Sequence, residues 1–504
     1  MDVHRVPPTR LWGAALILAA MLWAAVSVAQ PFDVVVAGGR AIDPETGLDA
    51  PRHVGVRGDR VVAVSVEPLA AQLAPNGRLI DARGMVVAPG FIDLHAHGQS
   101  VKANRYQARD GVTTALELEW GYPRVAEWLD YRRGRAIVHY GASVSHGMLR
   151  SFALPELAER ADELDDAAAR EDPLRAMQGV AREGFYRALP ADRMDIMLEL
   201  LRQGLRQGGL GIGMAHQYYP GASRSEILRV FELSAETGAP IFTHVREMGL
   251  GGIQEVVANA AATGAPLHIV HVNSSSLRDL PAALDLIAGV RVRGVDVTTE
   301  AYPYTAGSTG IDSAIFDDGW RERLGIDYGD VQWQDTGERL TAESFARYRE
   351  RGGVVIIHMM SEELIELAMA TPFVMIASDG MPFAPGAHPR SAGTFSRVLG
   401  RYVRERGSLP LATAIARMTL LPAQRLEAIA PTMRRKGRLQ VGADADLVVF
   451  DPQRVLDTAT FESGPSFSTG IEYVLVAGTL VVDRGESVDG VFPGQPVLGR
   501  YATP

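Results

Sequence analysis

Two rhythms of apolar and polar residues run along this chain. Near its start, "FDVVVAGGRAIDPETG", "RHVGVRGDRVVAVS" and "RLIDARGMVVAPGFID" are short β-branched runs broken by Gly, Asp and Pro turns, a pattern of antiparallel strands. The same texture returns late, in "KGRLQVGADADLVVFDP" and "IEYVLVAGTLVVDRGE". Two β segments flanking a long middle predict one small β domain built from residues 32–88 and 436–500.

The middle, residues 89–430, alternates instead between strand-like and helix-like stretches. Strand candidates are "FIDLHAH", "TALELEW", "RAIVHYGA", "GLGIGMA", "PIFTHV", "LHIVHV", "VDVTTEAY" and "FVMIASD". Between them lie segments such as "RSEILRVFELSAETG" and "LPAALDLIAGV", whose apolar residues recur at helical spacing. Eight strand–helix units predict an α/β fold, a TIM-like (β/α)8 barrel, with polar residues gathered at the C-terminal strand ends. A doubly wound sheet is the alternative, but no Gly-rich nucleotide loop opens the first unit. Residues 310–352, rich in Asp, Arg and Trp, read as an insertion.

Composition changes this picture in three places. The formal charge of -10 is mild for 504 residues and no long basic run occurs, which disfavours nucleic acid as a partner. The chain has no Cys, which removes disulfides, thiolate nucleophiles and thiolate metal ligands and leaves His, Asp and Glu. Residues 1–29 stand apart: Arg5 and Arg10 precede the uncharged run "LWGAALILAAMLWAAVSVAQ", which ends in small residues at Ser27 to Ala29. This is the layout of a signal peptide cleaved after Ala29, implying a periplasmic or secreted protein with no stable membrane association afterwards. The alternative is an uncleaved anchor, since the run is almost long enough to span a bilayer.

Candidate chemistry sits at the strand ends. Asp93, His95 and His97 alternate in "FIDLHAH", so an extended strand projects all three to one face. His244 in "PIFTHVRE", His271 in "LHIVHVN" and Asp379 in "FVMIASDG" close later strands. Burying such groups together is costly unless something binds them. His95, His97, His244, His271 and Asp379 make a set suited to a divalent metal, with Zn²⁺ the default for imidazole and carboxylate donors. The remaining histidines have plainer readings. His139 and His268 lie inside strand runs and read as packing residues, His268 on the face opposite His271. His146 reads as a neighbour of the site, and His358 and His388 as equally structural or functional.

The order HxH, His, His, Asp resembles that of the amidohydrolase superfamily. Finer stretches resemble its D-aminoacylase (N-acyl-D-amino-acid deacylase) family: "DGVTTA" at 110–115, "SHGMLR" at 145–150, "YYPGA" at 218–222, "THVRE" at 243–247, "AYPYTAGST" at 301–309, "HPRSAGTFSRVLG" at 388–400 and "MTLLPAQRL" at 418–426. The segment 436–452 looks like that family's return to its β domain. The resemblance implies a metal-dependent amidohydrolase cleaving a non-peptide C–N bond in a small-molecule substrate, with one or two divalent ions. His95, His97, His244, His271 and Asp379 would be ligands. Asp379 would also take the proton of the attacking water and pass it to the departing amine.

Departures from the family sharpen this. Where its members carry a metal-binding Cys in a Gly-Asn-Cys-Gly stretch, this chain reads "LELEWG". The ligand is then an oxygen donor, Glu119 or Glu117, with Glu119 nearer the strand end. The resemblance makes Glu119, His244 and His271 the tighter of two sites. "GGLGIGMAHQYY" has no Lys to match the carboxylated Lys of hydantoinase-like relatives, and His216 does not replace it. A Lys expected two positions after the sixth-strand His is Asn273. Arg390 and Ser308 match positions associated with the substrate carboxylate, and Tyr218 and Asn273 complete the expected substrate contacts. The expected products are a carboxylate and a free D-amino acid. Another amide, a cyclic amide, a dipeptide or a lactone is the alternative substrate. A non-catalytic binding protein on the same fold is the remote reading, and the chain carries no signal for an oligomeric state.

Overall fold

The computed structural model describes Met1, residues 31–160 and residues 182–502. The expected signal peptide, apart from Met1, lies outside the described residues. No helix among them is long and apolar enough to cross a membrane.

Eight parallel strands form the central sheet. In chain order they are β1 (Phe91–Asp93), β2 (Val112–Tyr122), β3 (His139–Ser145), β4 (Ile212–Ala215), β5 (Ile241–His244), β6 (Leu267–Ile269), β7 (Val297–Ala301) and β8 (Val374–Ile376). Each pairs with its neighbour in sequence, and helices such as Arg224–Thr237, Leu250–Thr263 and Leu280–Val292 cover the outside. Layers on both sides explain why β2 is buried along its whole length and why these strands read as near-continuous apolar runs. The expected (β/α)8 barrel is what forms, one strand at each of the eight runs.

β3 differs in extent from the run "RAIVHYGA" that announced it. Its first residues take other partners: Ile137 N–H donates to Asn104 Oδ1 and Gly494 N–H to the Ala136 carbonyl. The strand therefore starts only at His139.

β1 and β8 are not joined by a regular ladder. One bridge, Ala96 to Gly380, crosses between them just beyond the strand ends. His97 N–H donates to the Gly380 carbonyl at 2.8 Å and Gly380 N–H to the His95 carbonyl at 3.3 Å. Asp93 reinforces this seam. Its carboxylate accepts from Ser378 N–H at 3.0 Å, Ser378 Oγ at 2.5 Å and His95 N–H at 3.1 Å. Asp93 thus closes the barrel instead of joining the histidines on one face. The strand stops at Asp93, so alternation does not carry through to His95 and His97.

A separate nine-stranded sheet draws on both ends of the chain. Its N-terminal strands include Phe32–Asp43, Leu48–Arg57 and Val86–Pro89. Val86–Pro89 pairs antiparallel with Leu447–Phe450, which continues through Ile471–Val476. His139 ties this sheet to the barrel: its Nε2 lies 2.9 Å from Asp446, which also meets Lys436 Nζ at 2.6 Å. His139 is therefore a hydrogen-bonded joint rather than mere packing.

Between β7 and β8 the chain builds a small antiparallel sheet from Ala306–Gly310, Val331–Trp333 and Val354–His358. It has its own aromatic core, with Trp333 stacked on Tyr348 at 4.0 Å and Trp320 on Phe345 at 5.0 Å. Its first and last strands stand over the C-terminal mouth of the barrel, and Ser308, Thr309 and Ile357 reach into the pocket there.

Candidate metal centre

The six expected ligands converge at the C-terminal ends of the strands, all of them buried. His95 and His97 follow β1, Glu119 lies near the end of β2, and His244 ends β5. His271 and Asp379 come just after β6 and β8. Both hold left-handed backbone, with φ of 33° and 51°, which lets the chain turn sharply enough to aim each side chain inward. Such conformations cost non-glycine residues about 1–3 kcal/mol and persist where the surroundings over-determine them.

One half of the centre joins His95, His97, Glu119 and Asp379. The Nε2 atoms of the two histidines lie 3.1 Å apart. Glu119 Oε2 is 3.2 Å from the first and 3.3 Å from the second; Asp379 Oδ1 is 3.4 and 3.3 Å away. The other ring nitrogens explain which way these face. His95 Nδ1 meets Glu300 at 2.7 Å and His97 Nδ1 meets Glu117 at 2.8 Å. Each carboxylate accepts an Nδ1–H, leaving a lone pair on Nε2. Two imine lone pairs and two carboxylate oxygens then face one another with no donor of their own, which is the arrangement a cation resolves.

The other half joins Glu119 Oε1 with His244 Nδ1 at 3.0 Å and His271 Nε2 at 3.1 Å. His244 Nε2 donates to Gln217 Oε1 at 2.5 Å, which again leaves the inward nitrogen unprotonated. Glu119 therefore presents one oxygen to each half. Glu117, the other candidate, is spent on His97 and on Trp120 N–H at 3.2 Å. With no thiolate present, this nitrogen and oxygen donor set fits a divalent ion such as zinc.

The electrostatics show the same demand for positive charge, which protons on the rings would otherwise meet. Burial works against charge on His95 and His97, yet Asp379, Glu119 and Glu300 around the first, and Glu117, Asp379 and Glu119 around the second, push both well above the ordinary histidine value. Burial likewise opposes ionised Glu119, but His95, His244 and His271 hold it well below the usual carboxylate range. Asp379 is also lowered despite its burial, by Arg390, His95 and His97. A divalent ion supplies the same positive field without protons.

Behind the ligands runs a layer that the sequence reading left out. Glu300, on β7, bridges His95 and His268, whose Nε2 is 3.1 Å from it; His268 Nδ1 meets Thr298 at 2.8 Å. Burial would raise Glu300, but these two histidines bring it down to about 2. His268 is thus a support for a ligand's carboxylate, not a packing residue. An acid inside the apolar run "VDVTTEAY" was the available signal for Glu300. A Glu300→Leu variant is expected to bind metal about 10–100-fold more weakly, as is typical when a ligand's supporting carboxylate is lost. Metal titration of the purified protein checks this, and unchanged affinity refutes the supporting role.

The expected substrate contacts are placed unequally. Arg390 lines the pocket, its Nη1 2.8 Å from Asp379 and its guanidinium 4.6 Å above the Tyr302 ring. Its Nε and the Ser308 hydroxyl have no hydrogen-bond partner among the described residues. Tyr218 also lines the pocket and bonds Thr309 Oγ1 at 2.9 Å. Asn273 does not line it: its amide donates to the Tyr302 carbonyl at 3.1 Å. His146 lies behind Tyr219, bonded to it and to Glu226. His388 meets the Ala306 carbonyl, and His358 meets Gln332 on the neighbouring strand of the small sheet.

Fold and side chains together describe a barrel enzyme whose mouth is built to hold divalent cations. Comparison with known proteins makes this specific. The family described as "Amidohydrolase family" matches residues 78–482. D-aminoacylase of Alcaligenes xylosoxydans xylosoxydans is 31% identical over an alignment spanning 94% of this chain and 99% of its own. The crystal structure of N-acyl-D-glutamate deacylase from Bordetella bronchiseptica, complexed with zinc and a phosphonate mimic of the tetrahedral intermediate, superposes with a TM-score of 0.76 at 27% identity, covering 93% of this chain and 100% of that one. A D-aminoacylase structure concerned with the role of its binuclear metal centre gives a TM-score of 0.75 at 29% identity, with the same coverage. The chain belongs to the amidohydrolase family, in the branch that holds the D-aminoacylases.

Proposed function

We propose that the protein hydrolyses N-acyl-D-amino acids to a carboxylate and a free D-amino acid, using one or two Zn²⁺ ions held by His95, His97, Glu119, His244, His271 and Asp379. The observation that carries this reading is the meeting, in one pocket, of the lone-pair cluster with Asp379 and Arg390. The similarity to two kinds of N-acyl-D-amino-acid deacylase supports the choice of substrate. When bound, such a cation supplies Lewis acidity and makes water ionisable near neutral pH.

The chain's own residues do the rest. Asp379 Oδ1 faces the centre and accepts the proton of the attacking water; it returns that proton to the amide nitrogen as the C–N bond breaks. The water oxygen stays with the acyl group, so amide and water become acid and amine. Arg390 Nε and Ser308 Oγ are free to take the substrate carboxylate, for which a planar guanidinium is well shaped. Tyr218 and the apolar side chains of Ile315, Ile357 and Met359 close the pocket around the remainder.

The test is metal analysis of the purified protein, then turnover of N-acetyl and N-formyl D- and L-amino acids. Turnover of D-forms that chelation abolishes is the expected outcome. L-forms turned over with D-forms inert would sink the stereochemical assignment, and activity only on cyclic amides, dipeptides or lactones would move the substrate class. Residues 1–29 support export to the periplasm or beyond. N-terminal sequencing of the exported protein is expected to begin at Gln30; a retained leader would make it an anchor.

A further inference from the structure

A second pocket adjoins the catalytic one. Trp120, Tyr218 and Thr309 line both. Beyond them the wall is mostly apolar, made by Phe185, Tyr186, Ala314 and Val354, with the Ser313 hydroxyl among them. Its ionic groups, Arg182 and Asp312, pair with each other. The two shared rings pack edge to face at 4.7 Å, and the Tyr218 ring lies 5.1 Å from that of His244. Among the described residues no other charged side chain lines this chamber.

Its position relative to the chemistry says which part of a substrate reaches it. Tyr218 follows β4, and Asp379 follows β8; in a ring of eight strands these stand opposite. Asp379 must reach the departing nitrogen, and Arg390 beside it takes the carboxylate on the same side. The acyl substituent, across the scissile carbon, therefore points to Trp120 and Tyr218. Trp120 directly follows Glu119, so its ring begins where the acyl group leaves the metal centre.

We propose that this second chamber receives an apolar acyl group, so that the enzyme prefers N-arylacyl or medium-chain N-fatty-acyl D-amino acids over N-acetyl ones. The inference rests on the deacylase reading above and specifies its substrate. Burying methylenes in such a chamber is worth about fourfold each in binding.

The experiment measures kcat/KM of the zinc-loaded enzyme on D-leucine carrying acetyl, butanoyl, octanoyl and phenylacetyl groups. A second series holds the acetyl group and varies the D-side chain. Expected is a rise of about fourfold per methylene along the first series until the chamber fills. Ala314→Phe, which lies outside the catalytic pocket, should flatten that rise while leaving the acetyl substrate unaffected. Phe185→Ala should move the optimum to longer chains, which keeps the proposal testable if the first variant does not fold. A flat first series with acetyl-D-leucine still hydrolysed overturns the chamber's assignment alone. Sensitivity of the second series, not the first, to Ala314→Phe overturns it too, giving the chamber to the amino-acid side chain. Failure to hydrolyse any N-acyl-D-amino acid overturns the deacylase reading and this inference with it.

Discussion

Glu119→Gln is expected to strip the centre of its cations and lower kcat/KM by about a thousandfold or more, equivalent to about 4 kcal/mol of barrier. The reason is the split carboxylate. Oε2 stands 3.2 Å from His95 and Oε1 3.1 Å from His271, so each half of the centre depends on it for an oxygen and for negative charge. An amide keeps the shape but offers one acceptor, no charge, and a donor pointing into a cluster that has room only for lone pairs. Glu117→Gln is the proper control. It touches the same His97 from behind, at Nδ1, and should weaken metal binding only about 10–100-fold. Metal content after gel filtration and turnover on one substrate decide the matter. Equal metal retention in both variants refutes the assignment of Glu119 as the bridging ligand.

Asp379→Asn is expected to separate binding from chemistry. Asn tolerates the left-handed backbone that Asp379 holds, so the turn after β8 survives. The Glu119, His244 and His271 half does not include Asp379 and should keep its ion. What disappears is the group proposed to take and return the proton, with an expected loss in kcat of about 10²–10⁴. KM should shift less, because Arg390 remains in the pocket, although it loses the partner 2.8 Å away. Preserved kcat would mean that some other group moves the proton.

How much of this could be read from the sequence depended on whether local pattern or distant contact set the role. The eight barrel strands were legible because burial on both faces writes itself as uninterrupted apolar runs. The ligands were legible because imidazole and carboxylate in such runs are expensive and therefore informative. Glu300 was not, although its residue type carried the same warning. Its partner His95 is 205 residues away, and only the ring of strands brings them together. His268 was misplaced for a different reason. The alternation argument that set it opposite His271 assumes one continuous strand, but β6 stops at Ile269 and His271 sits in a left-handed turn. The same failure, a strand ending early, turned Asp93 from the face it was expected to share with His95 and His97 to the barrel seam.

That seam gives the centre a mechanical meaning. The histidines after β1 and the aspartate after β8 stand on either side of a junction in the ring that lacks a regular ladder. Any ion shared by His95, His97 and Asp379 would therefore act as a clasp, tying the first and last staves of the cask. Loading with metal and cohesion of the scaffold would then be one equilibrium, and a stripped protein would be looser at the very rim where its substrate enters.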